Sequence, residues 1–248
     1  MSPLGDWATT MDKKLSLVEH FGELRKHIII CLVAVIICGV FCFFYVDSIL
    51  SILSKPVGNL VFLKPAEAFI SRIKLAFYSG IFVSMPVIIY QMWKFVNPGL
   101  IEIERRYFLW IMPFSYLLFL SGVLFAFFAV LPVGMKFLLG YGTENVTPMI
   151  SVSSYISFVG IFLLAFGIIF QLPVVIVFLT KLGIVTPKWL SANRKYAVLI
   201  IFIIAGIITP GPDIFSQFMM ALPTLLLYEI SILLSKLISP ATKTGILK

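Results

Sequence analysis

The chain has 248 residues, 60% of them hydrophobic and 12% charged, with a formal net charge of +8. A soluble domain carries about a quarter charged residues, so this composition leaves too little polar surface to cover a water-soluble globule. The basic residues fall mostly in loops between apolar runs, where they set membrane orientation and call for no nucleic-acid partner.

In chain order, Ser16-Leu17-Val18-Glu19 reads as a capping box, so a helix should start there and run through Glu23 and Arg25 into the first span. Six stretches apolar on every face predict membrane-spanning helices at 28–46, 75–96, 107–131, 155–179, 196–208 and 215–234. The first is too long for a cleavable signal peptide, and no small-residue cleavage site follows it. Ile49-Leu50 and Ile52-Leu53, ahead of Lys55-Pro56, predict a short helix on the outer interface. Residues 132–154 read as a second outside loop, broken by Gly140, Gly142 and Pro148. Pro86, Pro113, Pro173 and Pro223 lie well inside four spans and predict kinks. The fold class expected is therefore an all-α membrane protein, one polytopic domain over 1–248, bent into a concave bundle. No internal repeat is visible.

The last two spans are short. At 1.5 Å per residue the fifth reaches roughly 20 Å against a hydrocarbon core of about 30 Å. Thr209-Pro210-Gly211-Pro212-Asp213 stops it. Such a hairpin thins the bilayer or sits behind other protein. Thr209, Ser216 and Gln217 gather at its outer end, and Leu199, Ile203 and Ile207 form one stripe of the fifth helix. Together they suit contact with a partner helix.

Fourteen of the 19 Lys and Arg residues fall on one side if the N-terminus is cytoplasmic, leaving only Lys55, Lys64, Arg72, Lys74 and Lys136 outside. This bias predicts both termini in the cytoplasm. Cys31, Cys38 and Cys42 share a face of the first span and read as packing residues. With only two histidines, His20 and His27, no metal site or cofactor is expected.

Hydrolase, metalloprotease and phosphate-loop signatures are absent from the sequence, so enzymatic function is not expected. Two inside carboxylates, Glu23 and Glu104, have no cation at i+4; His27 and Phe108 stand there instead. Together they suit a ligand with two guanidinium groups, since a carboxylate accepts two hydrogen bonds from the planar fork. Gln171 and Glu229 are the polar groups inside spans four and six. Both are candidates for the concave face; the plainer reading gives Gln171 an interhelical bond and Glu229 a counter-ion in Lys236.

The run Glu19-His20-Phe21-Gly22-Glu23-Leu24-Arg25 resembles the N-terminal motif of the TatC family, the large subunit of the twin-arginine protein translocase. Four further blocks resemble it in order: 85–93, 95–100 leading to Glu104-Arg105-Arg106, 165–173 and 209–217. The resemblance spans nearly the whole chain. It implies a receptor for twin-arginine signal peptides on folded cargo, driven by the proton-motive force in the cell's inner (cytoplasmic) membrane. It also implies TatA- and TatB-type single-span partners, a multimeric receptor complex, and a signal-peptide site of Glu23 and Glu104 with Arg25, Phe95 and Arg105 nearby. The small partners are implied to bind at the short hairpin, near Thr209 and Gln217. The family usually carries Glu where this chain has Gln171, so no titrating group is expected to be needed there. The competing reading is a secondary transporter of a small solute, which calls for inverted repeats and a midplane site that the sequence does not display.

Overall fold

The computed structural model describes residues 17–58, 60–96, 102–140, 149–209 and 214–238, leaving aside the side chains of 17–21, 96 and 102–110. The helices are α1 (Leu17–Phe43), α2 (Val46–Ser54), α3 (Glu67–Val96), α4 (Glu102–Phe125) and α5 (Leu131–Leu139). They continue as α6 (Val152–Ile169), α7 (Leu172–Lys181), α8 (Pro187–Ala192), α9 (Arg194–Ile208) and α10 (Ile214–Ile238). Among the described residues, five helical stretches are long and apolar enough to cross a membrane: Gly22–Phe43, Glu67–Phe95, Ile111–Leu139, Val152–Lys181 and Ile214–Ile238. The sixth, α9, has 15 residues. It is about 22 Å long, short for a bilayer, as expected.

Four boundaries differ from the sequence expectations. The first span stops at Phe43, two turns follow, and Val46 opens α2. Val46 is buried with Leu75, Ala76, Val152 and Ile156, while Asp47 pairs with Arg72 of α3 at 2.8 Å, so tertiary contacts set the break. The second helix starts at Glu67, two turns before its apolar run. The third continues to Leu139 through a π-turn at Ala126–Val130 and the helical segment α5, so residues 132–139 are not loop. Pro132 lacks an N–H, and the widened turn accommodates it within a continuing helix. The fourth span is interrupted at Phe170-Gln171, just before Pro173, giving α6 and α7. There Gln171 N–H bonds the Ile168 carbonyl at 2.9 Å, a tightened turn. Pro86, Pro113 and Pro223 lie inside α3, α4 and α10.

The central helix is α6, whose Tyr155, Val159, Phe162 and Phe166 are buried. It meets α3 on one side and α4 on another, while α10 packs on α7 and α9. By contrast, α1 packs chiefly along α3. A β-carbon at Gly80 would stand 2.7 Å from the Gly39 Cα, so the two backbones touch where both side chains are missing.

The end of the bundle away from the N-terminal turns of α1 is tied by one carboxylate. Glu67, at the start of α3, accepts from the Leu63 N–H (2.7 Å), the Lys64 N–H (3.3 Å), the Ser153 N–H (3.0 Å) and the Ser151 hydroxyl. Beside it, Val61 and Ser151 form a parallel bridge, with Val61 N–H to Ile150 O at 3.0 Å and Val152 N–H to Val61 O at 3.1 Å. The segments before α3 and before α6 are thereby one unit, and α2 is held under it by the Tyr155 hydroxyl, which donates to Leu53 O at 2.7 Å.

Gly80→Ala should force α1 off α3 and cost about 1–3 kcal/mol, the range for overpacking. The expected outcome is a lower thermal midpoint in detergent with α1 more open to cysteine labelling at Gly39→Cys; an unchanged midpoint and labelling rate count against this contact.

Candidate functional site

The N-terminal turns of α1, the C-terminal turn of α3 and the start of α4 share one end of the bundle. Glu23 is half-buried on α1, and Arg25 and Lys26 beside it are exposed. One turn after Glu23, His27 Nδ1 lies 2.6 Å from Gln91 Oε1 of α3, and its ring meets Phe95 edge-on with centroids 6.0 Å apart. This contact brings Glu23 and Phe95, sequence candidates from different helices, to one place. His27 and Gln91 themselves were not singled out by sequence, although His27 stood at i+4 from Glu23; their separation of 64 residues hid the pairing.

Among the described residues the ion pairs are Arg72–Asp47 and Arg194–Glu229, so Glu23 has no cation there. The backbone of Glu104 and Arg105 lies in the first turn of α4, eight and nine residues after the end of α3 at Val96. Their side chains lie outside the described residues. Trp93 is buried edge-on against Phe178, with ring centroids 4.9 Å apart.

The other candidates are engaged in helix contacts. The Gln171 amide donates to the Ser115 carbonyl of α4 at 2.9 Å and accepts from the Ser115 hydroxyl. Glu229 pairs with Arg194 of α9 at 2.8 Å, which corrects the expected Lys236. Lys236 is seven residues further on, about 10 Å along the helix, whereas α9 starts alongside Glu229. Thr209 donates to the Ala205 carbonyl at 2.9 Å, and Gln217 reaches across the hairpin to the Phe202 carbonyl at 2.8 Å. They do not bond each other. Ile203 and Ile207 are 52% and 77% exposed. Residues 210–213 of the intervening turn lie outside the described residues. Among the described residues, no three His, Cys, Asp or Glu side chains gather as a metal site.

Residues 19–223 match the family model "Sec-independent protein translocase protein (TatC)". A TatC of Carboxydothermus hydrogenoformans is 44% identical over 238 residues, covering 94% of this chain and 98% of its own. The TatC of Aquifex aeolicus is 42% identical over 231 residues, covering 90% and 95%. A crystal structure of a twin arginine translocase receptor, TatC, superposes with a TM-score of 0.81 at 42% identity, covering 90% of this chain and all of that one. With sequence, span order and fold in agreement over most of its length, the chain belongs to the TatC family of Sec-independent protein translocase proteins.

Proposed function

We propose that this multi-pass membrane protein binds paired-arginine signal peptides of folded cargo and scaffolds their export. The observation that carries the reading is Glu23, a half-buried carboxylate with no cation among the described residues. It sits at the end of α1 held to α3 by His27, Gln91 and Phe95. Glu104 and Arg105, at the start of α4, belong to the same end. Two carboxylates there suit two guanidinium forks, each accepting a pair of charge-assisted bonds. Arg25, exposed on α1, Phe95 and Arg105, whose backbone lies in the first turn of α4, belong to the same signal-peptide patch in this reading. The superposable TatC of known crystal structure is itself a twin arginine translocase receptor, which supports the same reading.

In this reading the protein lies in the cytoplasmic membrane with both termini inside, and it works in a multimeric complex with TatA- and TatB-type single-span subunits. Their helices pack on the exposed Ile203 and Ile207 stripe beside Thr209 and Gln217. Gln171, bonded to Ser115, acts as a helix tie, and Glu229 holds α9 to α10 through Arg194.

Each of Glu23→Gln and Glu104→Gln should weaken binding of a paired-arginine peptide to purified protein about tenfold or more, since a charged hydrogen bond contributes about 1.5–3 kcal/mol. A paired-lysine peptide should bind more weakly to the unaltered protein, because ammonium lacks the planar two-point contact. Unchanged binding curves in the double Gln variant, with the fold intact, place the site elsewhere.

Cysteine at position 242, in a background with the three native cysteines replaced by Ala, should resist an impermeant maleimide on intact cells; ready labelling overturns the orientation. Cysteines at 203, 207 and 217 should crosslink a co-expressed single-span subunit. Crosslinks confined to α1 and α4 move the partner to another face.

A further inference from the structure

A second site lies away from the carboxylate pair. α9 packs along α10 but only lightly on α6, and the gap is a groove of about 470 Å³. Its walls include Ile168, Leu172, Ile200, Ile204 and Met220. Three of the polar side chains that line it are bonded internally. Asn193 Nδ2 donates to Trp189 O at 2.9 Å, the Thr224 hydroxyl to Met220 O at 2.7 Å, and the Tyr228 hydroxyl to Leu190 O at 3.0 Å. Away from the end lined by Trp189 and Tyr196, the groove therefore offers chiefly hydrocarbon contact.

Its lining is apolar along its length, which suits an acyl chain. The proposed partner stripe, with Ile203 and Ile207, is also absent from the groove lining, so the two faces of α9 are distinct.

One end of the groove is built for a headgroup. Trp189 and Tyr196 line it there, 58% and 54% exposed, the placement favoured at a membrane interface. Lys188 and Lys195 are exposed beside them, with Lys195 Nζ 5.1 Å from the Tyr196 ring centroid. Glu229, the carboxylate facing this end from α10, is neutralised by Arg194. Two lysines are left without a carboxylate among the described residues.

We infer that this groove is a binding site for one anionic phospholipid, its acyl chain lying between α9 and α6 and its phosphate held by Lys188 and Lys195. The lipid supplies the dispersion contacts that α9 lacks and lets a short helix sit against the bundle without a void. This inference is independent of the signal-peptide reading.

Native mass spectrometry of the detergent-purified protein, titrated with dioleoyl-phosphatidylglycerol or dioleoyl-phosphatidylcholine, tests it. One phosphatidylglycerol should be retained, with about a tenfold preference over phosphatidylcholine, given two basic side chains at the headgroup. Lys188→Gln with Lys195→Gln, both on the surface, should bring the two lipids near parity. Ile204→Trp should fill the groove and abolish retention, whereas Leu226→Trp on the outer face of α10 should not. Equal retention of both lipids by the unaltered protein overturns the proposal. So does retention that neither the lysine pair nor Ile204→Trp alters, or a crosslink from Ile204→Cys to a single-span subunit or a second copy of the chain, which gives the groove to protein.

Discussion

Hydrocarbon has no hydrogen-bond partner to offer, so each polar side chain carried into a span must find one in the protein. That constraint runs through the bundle. Ser115 and Gln171 join α4 to the start of α7. The Thr180 and Ser235 hydroxyls meet at 2.8 Å between α7 and α10, and Gln217 closes the α9–α10 hairpin. Lys74 reaches the Ser153 and Ser157 hydroxyls at 2.8 and 3.0 Å, joining α3 to α6. Ser71 Oγ, Trp93 Nε1 and Ser191 Oγ are the described departures, buried without a partner. Each bond of this kind is worth only about 0.6 kcal/mol on average in a membrane, so they choose which helices meet more than they hold them. Close packing does the holding, as at Gly39 and Gly80.

Against this matched interior, the end that carries Glu23 stands out. Elsewhere a carboxylate has found its donors: Glu67 among loop amides, Asp47 with Arg72, Glu229 with Arg194. Glu23 is held half-buried without a cation among the described residues, and the His27–Gln91 bond keeps its helix in place. An unpaired carboxylate at the edge of lipid costs stability, and a guanidinium ligand would offset that cost on binding. The packing of α1 rests chiefly on α3, so its other faces are open in the chain as described.

Five of the six expected spans were legible because apolar length alone separates a membrane helix from other structure, whereas α9 is short by that measure. Their ends were not. Val46 looked like more of the same run, and only its burial against Leu75 and Ile156 assigns it to α2. Residues 132–139 carry a proline and two glycines close by, local signs of a loop, yet Leu131 and Met135 are buried in the core and the helix continues. Charge bookkeeping along a single helix singled out Glu23, since missing i+4 partners can be read locally. It misassigned Glu229, whose cation lies 35 residues away on another helix. The His27–Gln91 and Ser115–Gln171 pairs were hidden for the same reason: the sequence displays which polar groups need partners and conceals which helix supplies them.

The Glu67 knot also sets a schedule for biogenesis. Its donors on the first outside loop are local, but Ser153 lies 86 residues later. At translation rates of 5–20 residues per second, roughly 4–17 seconds pass before that segment is made. During this interval the α1–α3 pair waits in the membrane with its loop half-tied and Val61 unbridged. The segment opening α6 then supplies the carboxylate's remaining donors, the Val61 bridge and the Tyr155 bond, so this cap can be completed only after α1 and α3 have been made.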